Sequence, residues 1–263
     1  MNPNVIRGFA VTVAACAGIV TQPALAQTKA SGPYAVARAG VQVDADLRLP
    51  KTPKTGPAAA GQTPAPSIMP QGIDAKPGFT GELGMGYDFG GFRLEGTVGY
   101  DTASVNTKRL AEKGFRADGR MKSLDIGVAG YVDLNPGGDV NPFFGGGIGA
   151  SRVDAKASRL IDPAPATAPA AGARPAPSAG LAGTRINSRD WGFRWHLDAG
   201  VAFALTPETT LELAGRYTRT SSLSLNGTSS RLATATVPAI TTTQSFKTRA
   251  SSTSLMLGIR QAF

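Results

Sequence analysis

The stretch SSTSLMLGIRQAF, residues 251–263, decides how the rest of the chain is read. Leu255, Leu257, Ile259 and Phe263 form one apolar face, and Ser252, Ser254, Gly258 and Arg260 form the other, small or polar. A period of two held this long is the pattern of a β-strand. By itself the segment also suits an ordinary edge strand. The fold therefore turns on whether the chain supplies more strands of the same kind, in even number.

Seven further segments do. Residues 34–49 set Val41, Val43, Ala45, Leu47 and Leu49 against Arg38, Gln42, Asp44, Asp46 and Arg48. Residues 79–89 set Leu83, Met85, Tyr87 and Phe89 against Glu82, Gly84, Gly86 and Asp88, and 92–100 set Leu94 and Val98 against Arg93, Glu95 and Thr97. Residues 121–134 set Leu124, Ile126 and Val128 against Asp125, Tyr131 and Asp133, while 141–153 are Gly-rich and alternate poorly. The cleanest is 191–205, with Trp191, Phe193, Trp195, Leu197, Val201, Phe203 and Leu205 opposite Arg194, His196 and Asp198. In 209–225, Leu211, Leu213 and Tyr217 oppose Glu212, Arg216 and Thr218. With the tail, the count is eight.

The connections alternate in length. Gly90-Gly91, residues 135–140 and Thr206-Pro207-Glu208 are tight turns rich in Gly, Pro, Asn and Asp, whereas 50–78, 101–120, 154–190 and 226–250 read as long loops. Short turns on one side and long loops on the other suit an all-β, eight-stranded antiparallel transmembrane up-and-down barrel with long extracellular loops. A soluble barrel of the same count would reverse the faces, apolar inside and polar outside. Here the bulky residues share one face, and Gly, Ala and paired charges share the other.

Tyr131-Val132-Asp133-Leu134, NPFFGGGIGA at 141–150, LELAGRY at 211–217 and the terminal Phe263 resemble the eight-stranded outer-membrane β-barrel superfamily. That superfamily includes outer membrane protein A-type barrels and opacity-type, porin-like surface antigens of Gram-negative bacteria. Gln261 departs from it, standing where the family usually has an apolar residue. The resemblance implies that Leu255, Leu257, Ile259 and Phe263 form an assembly signal for the barrel-assembly machinery, reached with the help of periplasmic chaperones. It reports architecture and leaves activity open, because the superfamily holds anchors, adhesins, small channels and a few lipid-modifying enzymes.

Residues 1–26 read as a cleaved signal peptide: Arg7, an apolar run over 9–20, and Ala24-Leu25-Ala26 before the cut. The barrel domain is then 27–263, exported through the inner membrane to the outer membrane. Its loss of Arg7 lowers the formal charge of +9 by one. For a basic exported chain the expected polyanion is lipopolysaccharide rather than nucleic acid. Lys108, Arg109, Lys113, Arg116, Arg120 and Lys122 concentrate that charge at loop two, a candidate lipopolysaccharide contact. Loops one and three are Pro/Ala-rich and read as extended spacers. With no domain after Phe263, anchoring to the cell wall is not expected.

Cys16 is the only cysteine and lies in the leader, and His196 is the only histidine, so no metal site or cofactor is expected. By parity His196 points into the lumen with Arg93, Glu95, Arg194, Asp198, Glu212, Arg216 and Arg260. Buried charges must pair, and the spacing suggests Arg93 with Glu95, Arg194 with Asp198 and Glu212 with Arg216. A narrow lumen filled this way reads as a plug that opens when one partner is removed. The leading reading is therefore a non-enzymatic structural or surface-antigen barrel with a mostly closed polar lumen. A narrow porin-like channel is the alternative, and a lipid A-modifying hydrolase centred on His196 is the third. The Gly145-Gly146-Gly147 run is read as relief of crowding rather than a phosphate loop. The sequence names no ligand, host receptor or oligomeric state.

Overall fold

Alternating sequence becomes strand throughout the computed structural model, which describes residues 31–48, 72–74, 76–106, 116–161, 183–231 and 240–263. The elements are β1 (Gly32–Arg48), β2 (Gly72–Asp74), β3 (Gly78–Asp88), β4 (Phe92–Ser104), β5 (Arg116–Asp133), β6 (Val140–Ile161), β7 (Gly183–Ala204), β8 (Thr209–Arg231) and β9 (Ile240–Ala262). Each pairs antiparallel with its neighbour, and β1 also pairs with β9 from Tyr34↔Ala262 to Arg48↔Arg249, closing the wall. The three-residue β2 continues the ladder of β3 along β1 in unbroken register, since Asp46 faces Asp74 as Gln42 faces Gly78. The result is a closed eight-stranded antiparallel barrel. Closure satisfies every backbone group laterally, which a membrane interior demands of any sheet.

The tight turns form where the sequence placed them. Gly90 and Gly91 hold φ of 84° and 131°, left-handed values that a side chain would strain, and Asp88 Oδ1 accepts the Gly90 N–H at 2.8 Å. Asn135 donates to the Val140 carbonyl, and Thr206 Oγ1 accepts the Thr209 N–H at 2.9 Å. Next to these turns Tyr87, Phe89 and Phe92 cluster on the outer wall, with ring centroids 4.8 and 6.2 Å apart. At the other end of the apolar band stand Tyr100, Trp191, Phe193, and Trp195 against Tyr217. Two aromatic levels enclosing an aliphatic band is the outer surface expected of a barrel in a bilayer.

At the far end the structure corrects the sequence reading. Much of the three later long loops is strand: β5 starts at Arg116, β6 runs to Ile161, β7 starts at Gly183, β8 runs to Arg231 and β9 starts at Ile240. These upper segments carry no continuous outward apolar face. Above the membrane that face is not required, and Ser- and Thr-rich segments such as 220–230 pair without it.

Bulges mark the change of medium. The β1 ladder shifts between Gln42 and Asp44, and the β7–β8 and β8–β9 ladders shift between Ile186 and Phe193 and between Thr220 and Leu223. Beyond Val43 the faces of β1 exchange. Ala45 and Leu47 turn inward, while Asp44 and Arg48 lie exposed outside, against the expectation that placed both charges in the lumen. Asp46 moves to the same outer face. Leu223 and Leu225 share the parity of the lipid-facing Leu213, yet both are fully buried. There, Leu47, Val105, Ala155, Ala157, Ile186, Leu225 and Phe246 pack into an apolar collar inside the barrel.

Candidate functional site

The interior at the level of the membrane is polar. Arg38, Arg93 and Arg216 project into it with Glu82, Glu95, Asp133, Asp198 and Glu212, all buried. Two pairs sit directly opposite on neighbouring strands, Arg38 with Glu82 and Arg216 with Asp198. Other contacts reach beyond the facing residue, several of them to strands across the lumen. Arg38 reaches Glu95 at 2.6 and 2.8 Å, Glu82 at 3.0 Å and Glu212 at 2.9 Å. Arg216 holds Asp198 at 2.7 and 2.8 Å and Glu82 at 2.6 Å. Arg93, with no exposed surface, meets Glu212 at 2.9 Å and Asp133 at 3.0 Å. Guanidinium forks match carboxylates in this bidentate fashion, which fixes geometry as well as energy.

Aromatic residues complete the layer. Tyr34 donates to Glu95 and Tyr131 to Asp198, each at 2.9 Å. The Tyr131 ring lies under the guanidinium groups of Arg38 and Arg93, 5.3 and 5.0 Å from its centroid. Room for these groups comes from glycine: a Cβ on Gly258 would collide with Arg38, one on Gly145 with Tyr131, and one on Gly147 with His196. Gly145 and Gly147 thus make space for bulky interior neighbours, the relief of crowding that their place in a strand suggested.

The partners differ from those the spacing suggested. Glu212 bonds to Arg38 and Arg93, with Arg260 at 3.3 Å, and not to Arg216. Arg194 lies 3.7 Å from Asp125, not against Asp198. Of the suggested pairs, Arg93 with Glu95 does form an ion pair, at 3.7 Å. Residues two or four apart along a strand rise in parallel, and their long side chains reach across a narrow lumen more readily than along it. The hydroxyls of Tyr34 and Tyr131 were missed. Parity put Tyr131 on the lumen face, but only the folded barrel brings it to Asp198. Phe143, buried against Tyr131, was hidden by the poor alternation of 141–153.

His196 is buried, and among the described residues neither ring nitrogen has a hydrogen-bond partner. Its Nε2 lies 3.8 Å from Asp198 Oδ2, too far for a hydrogen bond, and Asp198 is already held by Arg216 and Tyr131. No grouping of three or more His, Cys, Asp or Glu among the described residues could hold a metal ion.

Between the ionic layer and the apolar collar lies a cavity of about 60 Å³, lined by Gln42, Asp101, Ser123, Asp125, Ser151 and Arg194 among others. Ser123 Oγ bridges Asp101 at 3.2 Å and Asp125 at 3.1 Å. Its volume suits a few water molecules and no larger solute.

Outside, Leu255, Leu257, Ile259 and Phe263 are exposed on the wall, and the Phe263 N–H bonds the Pro33 carbonyl at 3.1 Å across the closing seam. Of the basic set at loop two, Lys108, Arg109 and Lys113 lie outside the described residues, as does the leader. Arg116 begins β5, and Arg120 and Lys122 point outward from that strand.

A closed barrel, apolar and aromatic outside and polar within, defines an integral barrel of the bacterial outer membrane. The chain belongs to the outer membrane protein β-barrel domain family, whose pattern matches residues 12–258. No curated protein matches it by sequence. Among solved structures it is similar to Neisserial surface protein A, at 17% identity with 89% of this chain and 98% of that one covered and a TM-score of 0.46. It is similar to OprG of Pseudomonas aeruginosa at 11% identity, covering 88% and 99%, with a TM-score of 0.40. It is similar as well to the outer membrane protease OmpT of Escherichia coli at 9% identity, covering 91% and 99%, with a TM-score of 0.45.

Proposed function

We propose that this chain is a non-enzymatic structural barrel whose outer end serves as a surface antigen and whose lumen does not conduct. The observation carrying this reading is the ionic layer. Three buried arginines each hold carboxylates from different strands, and this cross-linking of the lumen supports a closed interior. The apolar collar stands in series with it. A channel reading draws support from the polar cavity between the two closures, which becomes a vestibule if both open. The hydrolase reading is disfavoured: His196 is enclosed, lacks a bonded acid, and faces away from any bilayer substrate. Planar-bilayer recording of refolded protein tests the proposal. Negligible conductance is expected, together with faster migration of unheated than of heated protein on SDS gels. Large, steady wild-type conductance would promote the channel reading.

A further inference from the structure

The outer wall above the upper aromatic level carries a charge pattern that none of the lumen chemistry uses. Strand register sets it out as a grid. Arg120 on β5 faces Lys156 on β6, Lys122 faces Asp154, and Leu124 faces Arg152. On β7, Arg189 stands beside Asp154 and Trp191 beside Arg152. All of these point outward, so five cations surround one carboxylate, with a second acid, Asp118, one step further from the membrane. Asp154 accepts from Arg189 at 2.7 and 3.2 Å, which fixes that guanidinium, and Lys122 and Lys156 flank the same carboxylate.

Directly below, the same strands bear a shallow apolar depression of about 590 Å³, lined by Val98, Ile126, Val128, Ile148 and Phe193. Trp191 stands between the two zones. A cluster of five cations over an apolar trough, with an indole at the junction, matches an amphiphile bearing phosphates on its head and acyl chains below. A soluble anion would use only the upper half.

We infer that the outer face of β5–β7 is a binding site for one phosphorylated, acylated glycolipid of the outer leaflet, seated on Arg120, Lys122, Arg152, Lys156 and Arg189 with its acyl chain in the depression beneath. The inference rests on the membrane-barrel reading and narrows the general attraction of a basic chain for lipopolysaccharide to one patch of wall. Its occupant is the lipid, not free phosphate.

The test titrates the detergent-refolded full barrel with bisphosphorylated lipid A, with dephosphorylated lipid A and with inorganic pyrophosphate, reading Trp191 fluorescence in a Trp195→Phe background. The phosphorylated lipid should bind at least about tenfold tighter than the dephosphorylated one. Lys122→Gln/Arg152→Gln/Lys156→Gln should abolish that preference, whereas Lys247→Gln/Arg249→Gln on the opposite wall should retain it. Arg152→Gln alone serves if the triple variant does not refold, and should weaken phosphorylated lipid A several-fold. Equal affinity for both lipids, an unchanged preference in the β5–β7 variants, or equal loss in the opposite-wall control would overturn the site. Pyrophosphate binding as tightly as the lipid would overturn the choice of occupant. Heat-modifiable mobility of every sample keeps this result separate from failure of the barrel itself.

Discussion

The barrel interior is filled at two levels, and the two levels obey opposite rules. At membrane level the inside is arginine, carboxylate and tyrosine, while the outside is leucine, valine and aromatics. A few residues further along the same strands the inside is Leu47, Ile186, Leu225 and Phe246, and the outside is Lys, Arg, Asp, Ser and Asn. Nothing in the strand geometry changes except the bulges. The surrounding medium does. Lipid outside drives polar groups inward, where they must pair, and water outside lets apolar groups take the interior. One continuous wall is thus a membrane barrel below and a soluble barrel above, with bulges in β1 and β8 as the points of inversion.

The ionic layer should be the more brittle of the two. Glu212→Ala strips a carboxylate from both Arg38 and Arg93 without removing either buried charge, and losing one partner of a buried pair typically costs about 3–5 kcal/mol. Urea unfolding in lipid should show a loss of that size. Read from sequence alone, the same variant should also conduct, because the ionic layer would be the sole closure. The collar changes that expectation: Glu212→Ala should remain silent in bilayers, and openings should require Phe246→Ala in addition. Conductance from Glu212→Ala alone would mean that the collar does not seal.

Inversion of the medium can be tested on one strand. Leu213 and Ser224 are both outward on β8, one below its bulge and one above. Arginine at Leu213 should cost about 2–4 kcal/mol if the site lies near the bilayer centre, whereas arginine at Ser224, facing water, should change stability by no more than about 0.5 kcal/mol. Equal costs in refolding titrations would place the boundary of the membrane elsewhere.

How far the sequence could be read follows from the same contrast. Period-two alternation with the apolar set outward located seven of the eight wall strands, because lipid enforces that pattern residue by residue; Gly-rich 141–153 alternates poorly, and the three tight turns were legible from their Gly, Pro, Asn and Asp. The upper strand segments escaped, since Leu223, Leu225 and Phe246 sit among Ser and Thr with no outward apolar face to announce them. Parity carried from Val41 onward misplaced Asp44 and Arg48, because a bulge is one extra residue and leaves no signature in the alternation itself. For the lumen, alternation indicated which charges point inward. It could not say that Glu212 meets Arg38, 174 positions away, since that pairing depends on barrel closure.

In the collar, packing replaces charge, and smaller changes should register. Ile186 is almost completely buried, and Ile186→Val removes one methylene from the cluster it shares with Leu225 and Phe246. A cost of about 0.5–1.5 kcal/mol is expected in the same unfolding assay, with no change in conductance. A neutral result would indicate a collar loose enough to rearrange.

The smallest effect should come from the same chemical pair that dominates the lumen, once it is moved into water. Arg189 and Asp154 form a guanidinium–carboxylate contact at 2.7 Å on the outer face, with the Arg189 side chain 55% exposed. The bond from Arg189, supported by Lys156 and Lys122, holds the Asp154 carboxyl below the ordinary range. A depressed carboxyl pKa contributes stability above the ordinary carboxylate value and loses it as pH falls through the folded value. Exposure and screening keep that contribution under about 1 kcal/mol. Arg189→Gln should therefore move the Asp154 titration midpoint upward, measurable by NMR of the labelled barrel, while the unfolding midpoint at neutral pH barely shifts. Glu212→Ala and Arg189→Gln each break an arginine–carboxylate contact of about the same length. A stability loss from Arg189→Gln as large as that from Glu212→Ala would mean that the upper wall does not face water, and the inversion at the bulges would fall with it.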